Sequence, residues 1–320
     1  MLLSRVAESV YWAGRYLERA EATARLVRTH TELYLDLPRS AGVTWAPLLA
    51  VTGSSRACAE RYGDEAEDHV VRFLTADLSH SGSIVASLSS ARDNFRVTRA
   101  VFPKTCWEML NRLHNWASDT AGDGVDRRTR IDWMDSVIHQ TQQLGGLLAG
   151  TMSHDHAYSF LEVGRMIERA DMTTRVLDVQ GTILLGEVPD NLLPYADVVW
   201  MHALRSLSAH QMFRRAVGRG VSGPAAIGFL LRDEQFPRSV EHCLTAISRE
   251  LLELPRYELP MSGCAMVQEV LEDAEFDALA MAGLREFMDG VQVGLASLHD
   301  LVAQTYFQNA ATPTSLLATA

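Results

Sequence analysis

The chain has 320 residues, 47% of them hydrophobic, and its 29 Lys and Arg against 40 Asp and Glu leave a net charge of −11. That apolar fraction suffices for one or two buried cores, while the acidic balance argues against nucleic-acid binding, which needs a basic surface. No uninterrupted apolar run approaches the roughly 18–20 residues of a membrane span, so no membrane partner is expected.

The opening residues, MLLSRVAESVYW, have no signal-peptide h-region and enter an amphipathic pattern at once, from which a cytoplasmic location is expected. Residues 2–34 carry apolar or small side chains at Val10, Ala13, Leu17, Ala20, Ala24 and Val27, the single stripe of a long helix. Helical periodicity continues over about 45–62, 70–78, 83–101, 104–118, 129–150, 155–186, 195–216, 224–232, 237–253, 265–273 and 275–309. Breakers separate these runs at Leu37-Pro38 to Gly42, Gly122 to Asp126, Gly186 to Pro194, Gly218 to Pro224 and Pro255 to Gly263. In FPRSV, Phe236 to Val240, the proline is expected in the first turn of a helix. No alternating strand pattern persists, so the expected fold is all-α, a bundle of long helices, with a disordered tail over 310–320. Cys58, Cys106, Cys243 and Cys264 lie far apart with no CxxC pair and read as small buried hydrophobes or free thiols.

One phrase occurs twice. GRYLERAEATAR (Gly14 to Arg25) and GRMIERADMTTR (Gly164 to Arg175) share seven of twelve residues, among them Gly14/Gly164, Arg15/Arg165, Glu18/Glu168, Arg19/Arg169, Thr23/Thr173 and Arg25/Arg175. A carboxylate recurs as Glu21 and Asp171, whereas apolar positions drift, Tyr16 to Met166 and Leu26 to Val176. A helix kept only for its fold should repeat its apolar stripe first. The likeness extends further: Trp45, Leu49 and Gly63 match Trp200, Leu204 and Gly218, and FLTADLSHSGSIVASL from Phe73 matches FLLRDEQFPRSVEHCL from Phe229. The chain therefore reads as an internal duplication, residues 1–153 and 154–309, packed about a pseudo-twofold axis into one bundle.

At 100° per residue, Tyr11, Arg15, Glu18, Ala22 and Arg25 form one stripe with Arg19 and Glu21 at its edges. Helical spacing would pair Glu18 with Arg15 and Glu21 with Arg25, as would an ordinary ion-pair network. On a surface such pairs contribute only about 0.3–0.5 kcal/mol each; buried between the halves they would fix how the halves dock. The other reading is an anion site, because each copy holds three Arg against two carboxylates in an acidic chain. Its candidate binding residues are Arg15, Arg19, Arg25, Arg165, Arg169, Arg175 and Arg238, with Arg92, Arg96 and Arg99 expected on one face of a helix in ARDNFRVTR. Glu21, Asp171, Asn94, Asn111 and Ser239 are candidate supporting residues, and Trp107 is expected in the core. Glu18 and Glu168 are the candidate catalytic groups, though neighbouring Arg lowers a carboxyl pKa where a general acid needs it raised. ERAE and ERAD also resemble the E-x-x-E/D of di-iron helices, but the i+3 histidine is missing and Arg opposes a cation. His154-Asp155-His156 could ligate a metal, yet Ser153 or Asp155 is the more natural N-cap. Neither a metal nor another cofactor is expected, and no P-loop, GxSxG, HExxH or dinucleotide fingerprint is present.

The combination of SRVAESVYWAGRYLERAEATARL, ARDNFRVTR with Trp107-Glu108 and Asn111, LEVGRMIERADMTTRVL and FPRSV resembles the bacterial alpha-E proteins from Met1 to about Asn309. The resemblance implies an all-helical domain named for its Glu-Arg motif, here Glu18-Arg19 and Glu168-Arg169. It also implies association with a circularly permuted ATP-grasp protein, often near a transglutaminase-like peptidase, and hence a role in an amidoligase or peptide-modification system. Two segments depart from the family pattern. Its Arg-Glu-Asn is Arg92-Asp93-Asn94 here, and its Asn-Pro-Ser type of turn is His80-Ser81-Gly82-Ser83. The expected function is thus a helical accessory and substrate-binding partner of an ATP-grasp amidoligase, holding an anionic small molecule or peptide on the Arg/Glu face. The alternatives are a transferase acting on the ligase product and a scaffold whose Glu-Arg pairs lock the repeats. Homo-oligomerisation is left open.

Overall fold

The computed structural model describes residues 3–185, 192–218, 220–279 and 283–307, and among these every regular element is helical. Through Thr151 the order is α1 (Ser4–Asp36), α2 (Ala46–Val51), α3 (Ser55–Tyr62), α4 (Glu67–Thr75), α5 (Ile84–Val97), α6 (Lys104–Asp119), α7 (Ala121–Val125) and α8 (Arg130–Thr151). It continues with α9 (His156–Leu185), α10 (Ala196–Ser206), α11 (His210–Val217), α12 (Gly223–Arg232), α13 (Val240–Leu252), α14 (Glu258–Glu272), α15 (Phe276–Leu279) and α16 (Leu284–Tyr306).

Several expected boundaries shift, each for a local reason. The runs at 45–62 and 195–216 each break into two helices, because Gly53 and Ser208 take positive φ (63° and 54°) and a helix cannot pass through that conformation. The expected breaker at Pro255 to Gly263 is largely helix: Pro260 sits in the first turn of α14, where its missing N–H costs nothing. Within that helix Gly263 lies against Leu298 and Leu301 of α16. Gly122 to Asp126 holds the one-turn α7. Pro237 precedes α13 instead of opening it, since Ser239 is the N-cap and accepts from the His242 amide at 3.1 Å. The disordered-tail expectation at 310–320, and most of the breaker at 186–194, lie outside the described residues.

α1 and α9 form the centre. They run side by side in the same direction: Ser4 and Ala7 share a depression with His156 and Phe160 at one end, and Leu26 and Thr29 share one with Val176 and Gln180 at the other. Helices α5 and α8 pack on α1, α13 and α16 pack on α9, while α10 reaches across to α1 and α2 to α9. α1 is therefore covered nearly all round, with Tyr11, Leu17, Glu18, Ala20, Thr23, Arg25 and Val27 all buried. A helix enclosed this way buries polar residues too, and these need partners. The four cysteines are buried and unbridged.

Candidate functional site

The centre of the bundle is set by two glycines of the repeated phrase. A Cβ on Gly14 would collide with the Leu161 carbonyl oxygen, and one on Gly164 with the Tyr11 carbonyl oxygen. α1 and α9 thus meet backbone to backbone, as small residues at a helix crossing permit. One turn further along, the close approach puts each motif's charges within reach of the other helix.

There the ion pairs cross between the helices. Arg19 donates to Glu168 from Nε (2.5 Å) and Nη2 (2.9 Å), and Arg169 donates to Glu18 from Nε (3.0 Å) and Nη2 (2.8 Å). Glu168 also accepts from Arg15 Nε at 2.7 Å, and Glu18 from Arg238 Nη1 at 2.5 Å. The expected Glu18–Arg15 pair does not form, because a bidentate fork from a helix in direct contact outcompetes an i,i+3 neighbour. Glu21 does pair with Arg25 as its spacing predicts, and it accepts from Arg238 Nη2 at 2.9 Å as well. Arg165 turns to Glu162 (2.5 Å) and Arg175 to Asp171 (2.8 Å). Arg19 and Arg169 do not converge on one pocket; each serves the glutamate on the other helix.

Both glutamates are almost wholly buried, Glu18 at 1% and Glu168 at 2% exposure. Burial alone would raise their pKa values. Arg169 and Arg238 outweigh it and hold Glu18 well below the usual carboxylate range, and Arg19 with Arg15 lowers that of Glu168. Neither group has the raised pKa of a general acid, and each already accepts from two guanidiniums. A depressed folded-state pKa gives stability that is present above the unfolded carboxyl value and lost as pH falls through the folded one. The urea midpoint should therefore stay level down to about pH 5 and fall below about pH 4.3, the unfolded glutamate pKa. In Glu18→Gln with Glu168→Gln that acid slope should be shallower; an unchanged slope in urea titrations across pH would contradict it.

The remaining candidates lie elsewhere. On α5 and α6, Arg92 donates from Nε to Asn111 Oδ1 at 2.7 Å and Arg96 pairs with Asp93 at 3.2 Å. Arg99 falls beyond the end of α5, so it does not share a helix face with the other two as expected. Instead it lies over the Trp107 ring at 4.5 Å, and Trp107 is half-buried instead of in the core. Asn94 uses its backbone carbonyl to accept from Thr98. Among the described residues no hydrogen bond or ion pair joins this group to the Glu-Arg centre. Asp155 caps α9, accepting from the Ala157 amide at 2.9 Å, and the His154 ring contacts the Ala149 carbonyl at 3.0 Å. Among the described residues no group of His, Cys, Asp or Glu is placed to hold a metal. Glu162, Thr23, His80 and Gly82 were not among the candidate site residues, although Thr23 repeats as Thr173 and Gly82 stands where the matched segment has Arg238, which was the available signal.

A family model described as Alpha-E, "a predicted alpha-helical domain with a conserved ER motif", matches residues 2–307. An uncharacterized protein of Mycobacterium bovis and two of Mycobacterium tuberculosis strains are each 25% identical over 334 residues. The match covers 94% of this chain and 36% of each relative, so the chain spans about a third of the length of the curated relatives it matches. No solved structure matches it. Among the described residues no helix is long and apolar enough to cross a membrane.

Proposed function

The chain belongs to the Alpha-E family, and on that premise we propose that it is the helical accessory and substrate-binding partner in an ATP-grasp amidoligase system. In this reading the crossed Glu-Arg pairs lock two duplicated halves, 1–153 and 154–309, into one body, and the surplus arginines take an anionic group. The observation that carries the locking is the crossing itself: Arg19 to Glu168 and Arg169 to Glu18, bidentate in both directions onto buried glutamates. A purely local salt bridge would have no reason to repeat across helices, whereas a dock that specifies one arrangement of two halves would.

Duplication is supported by contacts that recur at the sequence offsets. Gly14 meets Leu161 and Gly164 meets Tyr11, both three residues before the partner glycine. Ser83 caps α5 as Ser239 caps α13, and Arg25 reaches Ser208 while Arg175 lies beside Gly53. Anion binding is supported by charge: Arg15, Arg19, Arg25, Arg169 and Arg238 face Glu18, Glu21 and Glu168. The partnership with an ATP-grasp protein rests on the family resemblance, and the greater length of the relatives accords with a domain that works beside others. A transferase reading is less well supported, because both candidate catalytic carboxylates are held ionised and fully engaged. Co-purification with the neighbouring ATP-grasp protein, followed by amide formation with and without this chain, is the test. A complex and faster ligation are expected; no complex and unchanged ligation would remove the reading.

A further inference from the structure

The two Glu-Arg centres differ at one matched segment. Ahead of α13, the Pro237 carbonyl accepts from Arg169 Nη1 at 3.3 Å and the Arg238 carbonyl from Thr173 Oγ1 at 2.9 Å. The Arg238 side chain then covers Glu18 and Glu21. That centre is closed by its own loop. Ahead of α5 the matching loop is His80-Ser81-Gly82-Ser83, and Gly82 stands where Arg238 would. The matching contacts are missing among the described residues. Thr23, the counterpart of Thr173, is 1% exposed and its Oγ1 has no partner. His80 Nε2 is buried without a partner, and it lies where a Cβ on Gly82 would fall, at 2.9 Å. Arg19 commits Nε and Nη2 to Glu168, leaving Nη1 off that carboxylate, and its side chain is 24% exposed against 10% for Arg169.

We propose that the corner formed by Arg19, Thr23 and His80 is a binding site for a carboxylate, such as a peptide C-terminus, and that the Arg169–Thr173 corner is its self-plugged copy. The proposal rests on the anion-binding part of the function proposed above and says which half does the binding. A buried hydroxyl and imidazole nitrogen without partners are costly to leave unmade, so a ligand that supplies acceptors is favoured over an empty corner. The hydroxyl and the guanidinium Nη1 donate, and the imidazole nitrogen donates in its Nε2–H tautomer, so the complement is an acceptor pair. Arg15 and Arg19 both pair with Glu168, with Asp171 also near Arg15 and itself paired to Arg175, so a monoanion suits the charge left at Arg19. His80 also lines a surface groove of about 470 Å³ with Ala57, Glu60, Arg61, Phe73 and Ser79, and the proposed route to the corner is from that side.

The test grafts the closed loop onto the open half: His80→Phe, Ser81→Pro and Gly82→Arg together. Acetylglycine serves as the carboxylate probe, with acetylglycinamide and inorganic phosphate as comparisons, in calorimetric titrations of the full chain. The wild type should bind acetylglycine and not the amide, and the grafted variant should lose at least tenfold in affinity while remaining helical by circular dichroism. Phosphate binding as tightly as acetylglycine would overturn the assignment to a carboxylate. Should the grafted chain not fold, Thr23→Val serves instead: it removes the unpartnered hydroxyl, raising the melting temperature by about 2 °C while weakening the probe about tenfold. Acetylglycine binding that survives both variants but disappears in Arg169→Ala would refute this corner and leave anion binding intact. No binding to the wild type would refute the site, with the ligation assay still deciding the partnership.

Discussion

Replacing Glu18 by Ala should cost about 3–5 kcal/mol of folding free energy. The loss is not that of one favourable contact. Arg169 and Arg238 keep side chains only 10% and 11% exposed, and without Glu18 two guanidiniums stay buried with one fewer counter-charge. The same removal at Glu168 strands Arg15 and Arg19, but Arg19 is more accessible and can regain water, so a smaller loss is expected, about 2–3 kcal/mol. Removing Arg169 together with Glu18 should cost less than the two single changes summed, because the second change withdraws a stranded charge. Urea unfolding of Glu18→Ala, Glu168→Ala, Arg169→Ala and the Glu18→Ala/Arg169→Ala double variant reads all three quantities. A loss below about 1 kcal/mol for Glu18→Ala would mean the crossed pairs are no lock, since that is the range of a surface pair.

Gly14→Ala is the second large effect, with about 3 kcal/mol of destabilisation expected even though alanine is the better helix former. Propensity favours the substitution by about 0.8–1.0 kcal/mol. Against this stands a methyl group driven into the Leu161 carbonyl oxygen, a backbone atom that cannot rotate aside. The only relief is to part α1 from α9, which also lengthens the crossed Arg–Glu bonds one turn away. Gly164→Ala should behave alike against the Tyr11 carbonyl. Once the helices have parted for one methyl, the second enters partly vacated space, so the double variant should fall short of the sum. Denaturation curves for the three variants decide this; a neutral or stabilising Gly14→Ala would show that the helices do not touch there.

Much of this was legible beforehand because it depends on short-range rules. Helical period marks long central helices at 2–34 and 155–186, found as Ser4–Asp36 and His156–Leu185, and Asp155 is readable as a capping residue, whereas the proline expected inside α13 lies before its N-cap, Ser239. Short-range rules failed where a single residue's φ intervened, as at Ser208, which nothing in its type required to be left-handed. They also misplaced Arg99, because the end of α5 at Val97 depends on the turn that follows. In the centre, Glu21–Arg25 was predictable because both lie on one helix. Helical spacing pairs Glu18 with Arg15, whereas its partners in the fold are 151 and 220 residues away.

Helical periodicity, a twice-occurring Glu-Arg phrase with an arginine surplus, and no familiar nucleotide motif are all readable from the order of residues alone. These follow from periodicity, composition and spacing, which act within a few residues. The tertiary packing makes Arg19 and Arg169 cross to each other's glutamates and lays Arg238 over Glu18, while beside Gly82 Thr23 Oγ1 and His80 Nε2 have no hydrogen-bond partner among the described residues. The physical reason is that an ion pair is chosen by distance and burial. Those were set when two glycines let α1 and α9 meet backbone to backbone.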